Sequence, residues 1–144
     1  LDQRVLNNKL SEKIMKDKVK VLARTILNFG IFTEDFLMKK KIKFDKNDHR
    51  FYWDVKQIKL WMKYINKIKL YSNRPIENTC YKFCNSFKVD SLIIGANNIN
   101  HLNAALKKNN YFKLKNNELD YISKIYREYS RNKMIKPKIG MKLT

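Results

Sequence analysis

Apolar residues recur along this chain at helical spacing in two long segments. Near the amino end, Leu6, Leu10 and Ile14 follow one another in steps of four, which predicts a helix from about Asn8 to Lys16. A second apolar stripe predicts a helix over residues 52–69. Its positions are Val55, Ile58, Met62, Ile65 and Ile68. Each helix would bury its apolar stripe against the rest of the protein.

Three more helices are predicted in the second half of the chain. After the break at Ser72 and Asn73, either of which could cap the next helix, Pro75 fits the first helical turn, where its missing N–H costs nothing. The buried face of that helix is predicted to consist of Ile76, Thr79, Cys80, Phe83 and Phe87. Asn98 is expected to start the next helix, which runs to Asn109, and Asn116 to cap the last one.

Two segments are predicted to form strands. Residues 18–24 alternate and carry β-branched Val19 and Val21, while residues 89–95 are almost continuously apolar, as in a parallel strand buried on both faces. Residues 25–51, which follow the first strand, are predicted to form a long loop with a helical turn near Thr33 to Leu37. Strands that alternate with helices predict the α/β class with a parallel sheet.

Glycine is rare in this chain, and two of its three glycines, Gly30 and Gly95, follow the two predicted strands. Ligands of α/β proteins bind at the carboxyl ends of strands, where glycine lets backbone N–H groups approach an anion. The two glycines therefore predict an anion site at the sheet edge. The alternative is that each glycine only forms a tight turn.

Composition narrows the class of protein. The 144 residues, 44% of them hydrophobic, suffice for one domain with a core. The net charge of +19 is typical of nucleic-acid binding, but lysines occur in every segment, so we expect nucleic acid not to be the main partner. The densest lysine run, Met38 to Phe44, is expected to be simply solvated. With no apolar run of about 18 residues, we expect no membrane partner and a cytoplasmic location.

The few candidate metal-binding and acid–base residues favour structural roles. Cys80 and Cys84 lie four apart in a predicted helix and are expected to be reduced core residues. With His49 and His101 they could form a zinc site on paper, but the spacing differs from that of structural zinc sites. His49, between Asp48 and Arg50, is predicted to be structural rather than catalytic.

Four segments together resemble the C-terminal half of an aldo-keto reductase. They are "LDQRVLNNKL", "VKVLARTILNFGIFT", "FDKNDHR" and "VDSLIIGANNINHLNAAL", and the resemblance extends from Leu1 to about Arg127. It implies a partial (β/α)8 TIM barrel, with the predicted strands as strands 7 and 8, their helices and the C-terminal helix. Residues 1–144 would then be the C-terminal part of such a domain, an incomplete barrel that begins just after the sixth strand.

The resemblance also implies an activity and a cofactor. The family comprises NADP-dependent oxidoreductases that reduce carbonyls to alcohols. Its loop after the seventh strand surrounds the cofactor pyrophosphate, and its loop after the eighth holds the adenosine 2′-phosphate. Carried over to this sequence, the cofactor-binding residues would be Thr25, Leu27, Gly30, Gly95, Asn97 and His101.

Several positions depart from the family pattern. Ile26 stands where proline is usual, Asn97 where an arginine often binds the 2′-phosphate, and His101 where arginine or glutamine is common. Ala104 and Ala105 replace a Glu-Asn pair that would face adenine. The contacts to the adenosine end are therefore weakened, so NAD is the alternative to NADP, and binding to the isolated chain is expected to be weak or absent.

The family's catalytic tyrosine, lysine, aspartate and histidine lie on the first four barrel strands and have no counterpart here. We therefore assign no catalytic residue and expect this chain alone to reduce no carbonyl. If the missing N-terminal half completed the barrel, the partners would be NADP and a small carbonyl substrate. The other hypothesis is a basic helical nucleic-acid-binding module with an accidental resemblance. A reading frame upstream that encodes the missing strands would distinguish the two.

Overall fold

The computed structural model describes residues 9–87 and 89–131. In this part of the chain, six helices and two short strands occur in the order that the sequence predicts. They are α1 (Lys9–Lys16), β1 (Leu22–Ala23), α2 (Glu34–Leu37), α3 (Val55–Ser72), α4 (Ile76–Asn85), β2 (Ser91–Leu92), α5 (Ile99–Ala105) and α6 (Asn116–Arg131). Two 3₁₀ helices, His49–Tyr52 and Lys108–Tyr111, separate some of them. The segment Leu1 to Asn8, with Leu6, lies outside the described residues.

Helix α3 is the central element of the fold. It begins at Val55 rather than at Tyr52 because the Asp54 carboxylate accepts a hydrogen bond from the Lys56 N–H at 2.8 Å, and it ends where Asn73 adopts a left-handed φ of 47°. The prediction of its buried stripe is confirmed at Ile58, Ile65 and Ile68, whereas Val55 is exposed and Met62 is half-buried. Trp61 and Tyr64 extend the buried face.

The hydrophobic core lies between α3, α4 and α6. Helix α4 contributes Ile76, Thr79, Cys80, Tyr81 and Phe83, and helix α6 contributes Ile122, Ile125, Tyr126 and Tyr129. Complete burial of each large apolar side chain stabilises the fold by about 1.5–3 kcal/mol relative to leaving it in water. The helices therefore supply most of the apolar burial.

The predicted start of α4 needs a correction. Asn73 caps the end of α3 and not the start of α4, because its left-handed backbone terminates the preceding helix. Pro75 occupies the N-cap position itself, without a side-chain cap bond, and the first helical residue is Ile76. Phe87 lies beyond the helix end and is half-buried.

The two strands form a parallel pair, with Leu22 opposite Ser91 and Ala23 opposite Leu92. Each is much shorter than predicted. Lys18 and Thr25 have left-handed φ values of 53° and 60°, so extended backbone cannot continue through either residue. On the other strand, the Asp90 carboxylate accepts the Val21 N–H at 2.8 Å in place of a backbone partner.

The expectation that the second strand is buried on both faces is wrong. Leu92 and Ile94 pack against the core, but the alternate positions point outward, and Leu22 is 60% and Ile93 52% exposed. The reason is that the helices cover only one face of the pair. The protein is thus mostly helical with a two-stranded parallel sheet at its side.

The sequence analysis expects no membrane partner, because no apolar run is long enough to span a bilayer. Within residues 9–87 and 89–131, no helix combines the length and the apolar character needed to cross a bilayer.

Candidate functional site

The two strands place the predicted site residues at one edge of the sheet. Because β1 and β2 are parallel and in register, both carboxyl ends lie side by side, and the Ile93 N–H donates to the Ala23 carbonyl at 2.8 Å. We call residues 24–33 the first loop and residues 93–98 the second loop. Thr25, Leu27 and Gly30 belong to the first loop. Gly95 and Asn97 belong to the second, and His101 follows in the first turn of α5.

The first loop has a strained backbone. Thr25, Asn28 and Phe29 adopt left-handed φ values of 60°, 46° and 56°, and Gly30 has a φ of 81°. For L-residues this conformation costs about 1–2 kcal/mol each, and it is a pronounced outlier for β-branched threonine. Strain of this kind is concentrated at binding sites and switch regions, so Thr25 directs attention to this loop.

Backbone hydrogen bonds occupy only one part of the first loop. The bonded N–H groups belong to Asn28, Gly30, Ile31 and Phe32, which donate to carbonyls within residues 25–28 at 2.9–3.1 Å. In contrast, the N–H groups of residues 25–27 donate to no acceptor among the described residues. Three successive N–H groups at the carboxyl end of β1 are therefore without an acceptor in the part of the chain that the structure describes.

Arg50 fixes the first loop from outside. One guanidinium nitrogen, Nη1, donates to the Phe29 carbonyl at 2.8 Å, while Nε and Nη2 form a fork with the Asp48 carboxylate, at 2.9 and 2.6 Å for the shortest contacts. Hydrogen bonds from Arg50 are the main reason that the pKa of Asp48 is lowered from 3.8 to about 2. Asp48 also accepts the Arg50 N–H and so starts the 3₁₀ helix His49–Tyr52.

The two glycines differ in what they contribute. Gly30 has a left-handed φ, which favours glycine, and a Cβ there would lie 3.4 Å from Arg50 Nη1. Gly95 lies outside the left-handed region and has no atom within 4 Å of a Cβ placed there. The predicted close approach is therefore supported by geometry at Gly30 only.

The second loop and the start of α5 present an amide and an imidazole, on Asn97 and His101. The Asn98 side chain accepts the His101 N–H at 2.9 Å and caps α5, which confirms the predicted helix start. Helix α5 ends at Ala105, earlier than predicted, because the chain then turns into the 3₁₀ helix Lys108–Tyr111. Asn97 and His101 are exposed.

These donors fit one part of a dinucleotide better than another. The three N–H groups of residues 25–27 and the exposed Thr25 hydroxyl are suited to the oxygens of a pyrophosphate. Asn97 and His101 provide an amide and an imidazole at these positions. Neither is an arginine guanidinium, whose permanent charge and parallel N–H groups pair best with a phosphate monoester. The arrangement thus fits pyrophosphate, with little charge for a 2′-phosphate.

Sequence reasoning missed the aromatic cluster beside the first loop. The rings of Phe29, His49 and Trp53 pack edge-on, with centroids 5.3–5.4 Å apart. The Asp48–Arg50 pair and His49 therefore hold the loop, in line with the structural role expected for His49. The sequence does show the Asp-x-Arg spacing. The Phe29 carbonyl that Arg50 contacts, however, is 21 residues distant in sequence.

The cysteines and histidines lie on different elements. Cys80 and Cys84 are free thiols on α4, and burial raises the pKa of Cys80 to about 12 and that of Cys84 in the same direction. His49 and His101 are exposed elsewhere. Over the described ranges, no three His, Cys, Asp or Glu side chains come together as a metal site would require.

Comparison of the chain with models of known protein families gives no match, and comparisons with curated proteins and with solved structures give none either.

Proposed function

We propose that this chain is the portion of an NADP-dependent aldo-keto oxidoreductase that binds the cofactor phosphates. The observation that carries the proposal is the strained Thr25, which closely follows a parallel strand and opens a run of three N–H groups that donate to no acceptor within residues 9–87 and 89–131. A threonine held in this conformation costs stability, and a bound anion would offset that cost. The sequence resemblance assigns the same loop to the cofactor pyrophosphate.

Each site residue has a distinct proposed role. The N–H groups of residues 25–27 and the Thr25 hydroxyl bind the pyrophosphate, and Gly30 with Arg50 keeps the loop in shape. Leu27, half-buried against the core, anchors the loop. The second loop, with Gly95, Asn97 and His101, faces the adenosine end. With no fixed cation at the last two positions, NADP is favoured over NAD only weakly, and NAD is the alternative cofactor.

The bound nicotinamide would supply the hydride that reduces a small carbonyl substrate to an alcohol. The residues of this chain bind and orient the cofactor and do not donate a proton to the substrate. Orientation alone cannot replace the missing proton donor, so the isolated chain is proposed to be inactive and to require the remaining barrel strands, supplied by an N-terminal half.

Weak binding can be tested by backbone amide NMR of the full chain. NADPH at millimolar concentration should shift the amide signals of residues 25–27 and 95–101. Thr25→Gly removes the hydroxyl and should weaken NADPH binding by about five-fold, the effect of one hydrogen bond of about 1 kcal/mol. Asn28→Gly is the matched control, because it relaxes a left-handed residue of the same loop whose N–H is already used in a turn.

Two results would contradict the proposal. One is the absence of any shift in the two loops at millimolar NADPH or NADH. The other is an equal loss of affinity in Thr25→Gly and Asn28→Gly, which would mean that loop flexibility alone controls binding.

A further inference from the structure

Four aromatic rings are exposed around the 3₁₀ helix His49–Tyr52. Tyr52 is 73%, Phe51 44% and Phe29 43% exposed, and the His49 side chain is 53% exposed. Large aromatic side chains are normally mostly buried, so a group of four exposed rings needs an explanation. We call these rings together with the lysine run Lys39–Lys46 the aromatic–basic surface.

The rings are held in a fixed arrangement. A 3₁₀ helix has three residues per turn, so His49 and Tyr52 lie on the same side of it. Phe29 packs on His49 with centroids 5.3 Å apart, and Phe51 packs on Tyr52 at 5.2 Å. Trp53 is buried behind Phe29 and His49, so these rings rest on the core.

The lysine run contacts the 3₁₀ helix His49–Tyr52 through Phe44. Ile42 and Phe44 are half-buried and attach the run to the core, while its lysines point to solvent. Phe44 stacks on Phe36 at 5.9 Å, and the Arg50 guanidinium lies 4.7 Å from the Phe44 ring centroid. Arg50 belongs to the 3₁₀ helix, so it joins the lysine run to the exposed rings directly.

The run holds five lysines and one carboxylate, Asp45. No carboxylate of the described residues lies within 4 Å of the ammonium groups of Lys39, Lys40, Lys41, Lys43 or Lys46. The nearby Asp48 carboxylate is already occupied by Arg50. Among the described residues, these five lysines thus have no carboxylate partner that an anionic ligand would have to displace.

We propose that the aromatic–basic surface binds single-stranded nucleic acid, with the lysines against the phosphates and the rings stacked on unpaired bases. Non-specific single-strand binding sites combine these two features, and every base has a face on which a ring can stack. A duplex keeps its bases stacked on each other and cannot use the rings. In the sequence, the lysines are distributed through every segment, which argued against nucleic acid as the main partner. The structure adds the exposed rings, which cannot be identified from the sequence.

Fluorescence anisotropy of labelled oligothymidylate and oligouridylate with the full chain tests this site. Phe51→Ala with Tyr52→Ala should weaken binding at least about five-fold, since stacking contributes about 1–3 kcal/mol per base. The matched control is Tyr111→Ala with Phe112→Ala, an adjacent exposed pair flanked by Lys107, Lys108 and Lys113. This control should change affinity by less than about two-fold, because its rings lie outside the proposed site. All four side chains are exposed, so both double variants should keep the helical circular dichroism of the parent.

A second comparison separates the lysine run from general charge. The triple variant Lys39→Gln, Lys40→Gln and Lys41→Gln should reduce the slope of log affinity against log salt by about 2, because each single-strand phosphate contact contributes about 0.7. The matched control has Lys107→Gln, Lys108→Gln and Lys113→Gln, which remove the same charge from another exposed segment. Equal effects of the two triple variants, equal effects of the two aromatic variants, or equal affinity for polyphosphate that lacks bases would each overturn the proposal.

Discussion

Single residues determine the shape of the first loop. Its left-handed backbone positions are occupied both by a glycine and by other residues, and the physical reason differs between them. At Gly30 the left-handed φ of 81° favours glycine, so the residue fits its position. Thr25 has an unfavourable conformation that its own side chain resists. The glycine could be predicted to matter from its place after a strand. The strain at Thr25 could not, because threonine gives no sequence signal for a left-handed backbone.

The two glycines provide a matched pair of substitutions. Gly30→Ala should lower the free energy of unfolding by about 1–2 kcal/mol, since alanine resists a φ of 81° and its Cβ approaches Arg50 Nη1. Gly95→Ala should leave stability unchanged or raise it by about 0.5 kcal/mol, because its surroundings are open and alanine restricts the unfolded chain. Urea unfolding followed by circular dichroism measures both. A Gly95→Ala loss as large as that of Gly30→Ala would contradict this view of the loops.

The Asp48–Arg50 pair predicts a pH effect of defined sign. The pKa of Asp48 is about 2 in the folded protein, below its ordinary 3.8, so folding favours the ionised carboxylate. The stabilisation is complete above about pH 4 and disappears as the pH falls to about 2. At pH 6, Asp48→Asn should be less stable by about 1 kcal/mol, the upper range for partly exposed pairs. The difference between the two proteins should shrink from pH 4 to pH 2 in urea titrations, and a constant difference would refute the assignment.

At the level of elements, the helices were predictable and the strand lengths were not. Helical spacing of apolar residues and the cap at Asn98 depend on neighbours a few residues away, which the sequence displays directly. The predicted cap at Asn116 is wrong, because Asn116 is the first residue of α6 and the Glu118 carboxylate accepts the Lys115 N–H there. The strands end where Lys18 and Thr25 turn left-handed and where the Asp90 side chain replaces a backbone acceptor. Those causes involve backbone conformation and a partner 69 residues away in sequence, which hydrophobic patterns do not record.

Helices α2 and α4 stabilise each other's amino ends through two glutamates. The Glu34 carboxylate accepts the Ile76 N–H at 2.9 Å, and the Glu77 carboxylate accepts the Glu34 N–H at 2.8 Å. Glu34 also forms an ion pair with Lys69 on α3. This exchange explains how α4 begins at Ile76 although its N-cap, Pro75, offers no side-chain cap bond.

The hydrogen bonds that Glu34 and Glu77 accept at the two helix starts predict a loss of stability when Glu34 is replaced. Glu34→Ala should lower the free energy of unfolding by about 2 kcal/mol, the range for hydrogen bonds to charged groups, and Glu34→Gln should cost less because it keeps an acceptor. Urea unfolding measures both variants. Asp35→Ala is the control, since Asp35 is the exposed neighbour in the same helical turn. Similar losses in Glu34→Ala and Asp35→Ala would show that Glu34 acts only as a surface charge.

In the whole molecule, the helical core is more completely packed than the sheet. The core residues of α3, α4 and α6 are enclosed on all sides, while the two strands are covered on one face and have no further strand beside them within residues 9–87 and 89–131. A pair of strands this short is marginal by itself. The same feature that limits its stability would let further strands, as in the proposed complete barrel, add to either side.

Amide hydrogen exchange should reveal this inequality in the full chain. The N–H groups of Ser91 and Ile93, which donate to Val21 and Ala23, should exchange at least about a hundred-fold faster than those of Ile65 and Ile68 in α3, a difference in opening free energy of roughly 3 kcal/mol. The reason is that opening the strand pair exposes little additional apolar surface, since Leu22 and Ile93 already face water. Equal protection of strands and helix would mean that the sheet unfolds only with the core, and the case for an incomplete sheet would then fail.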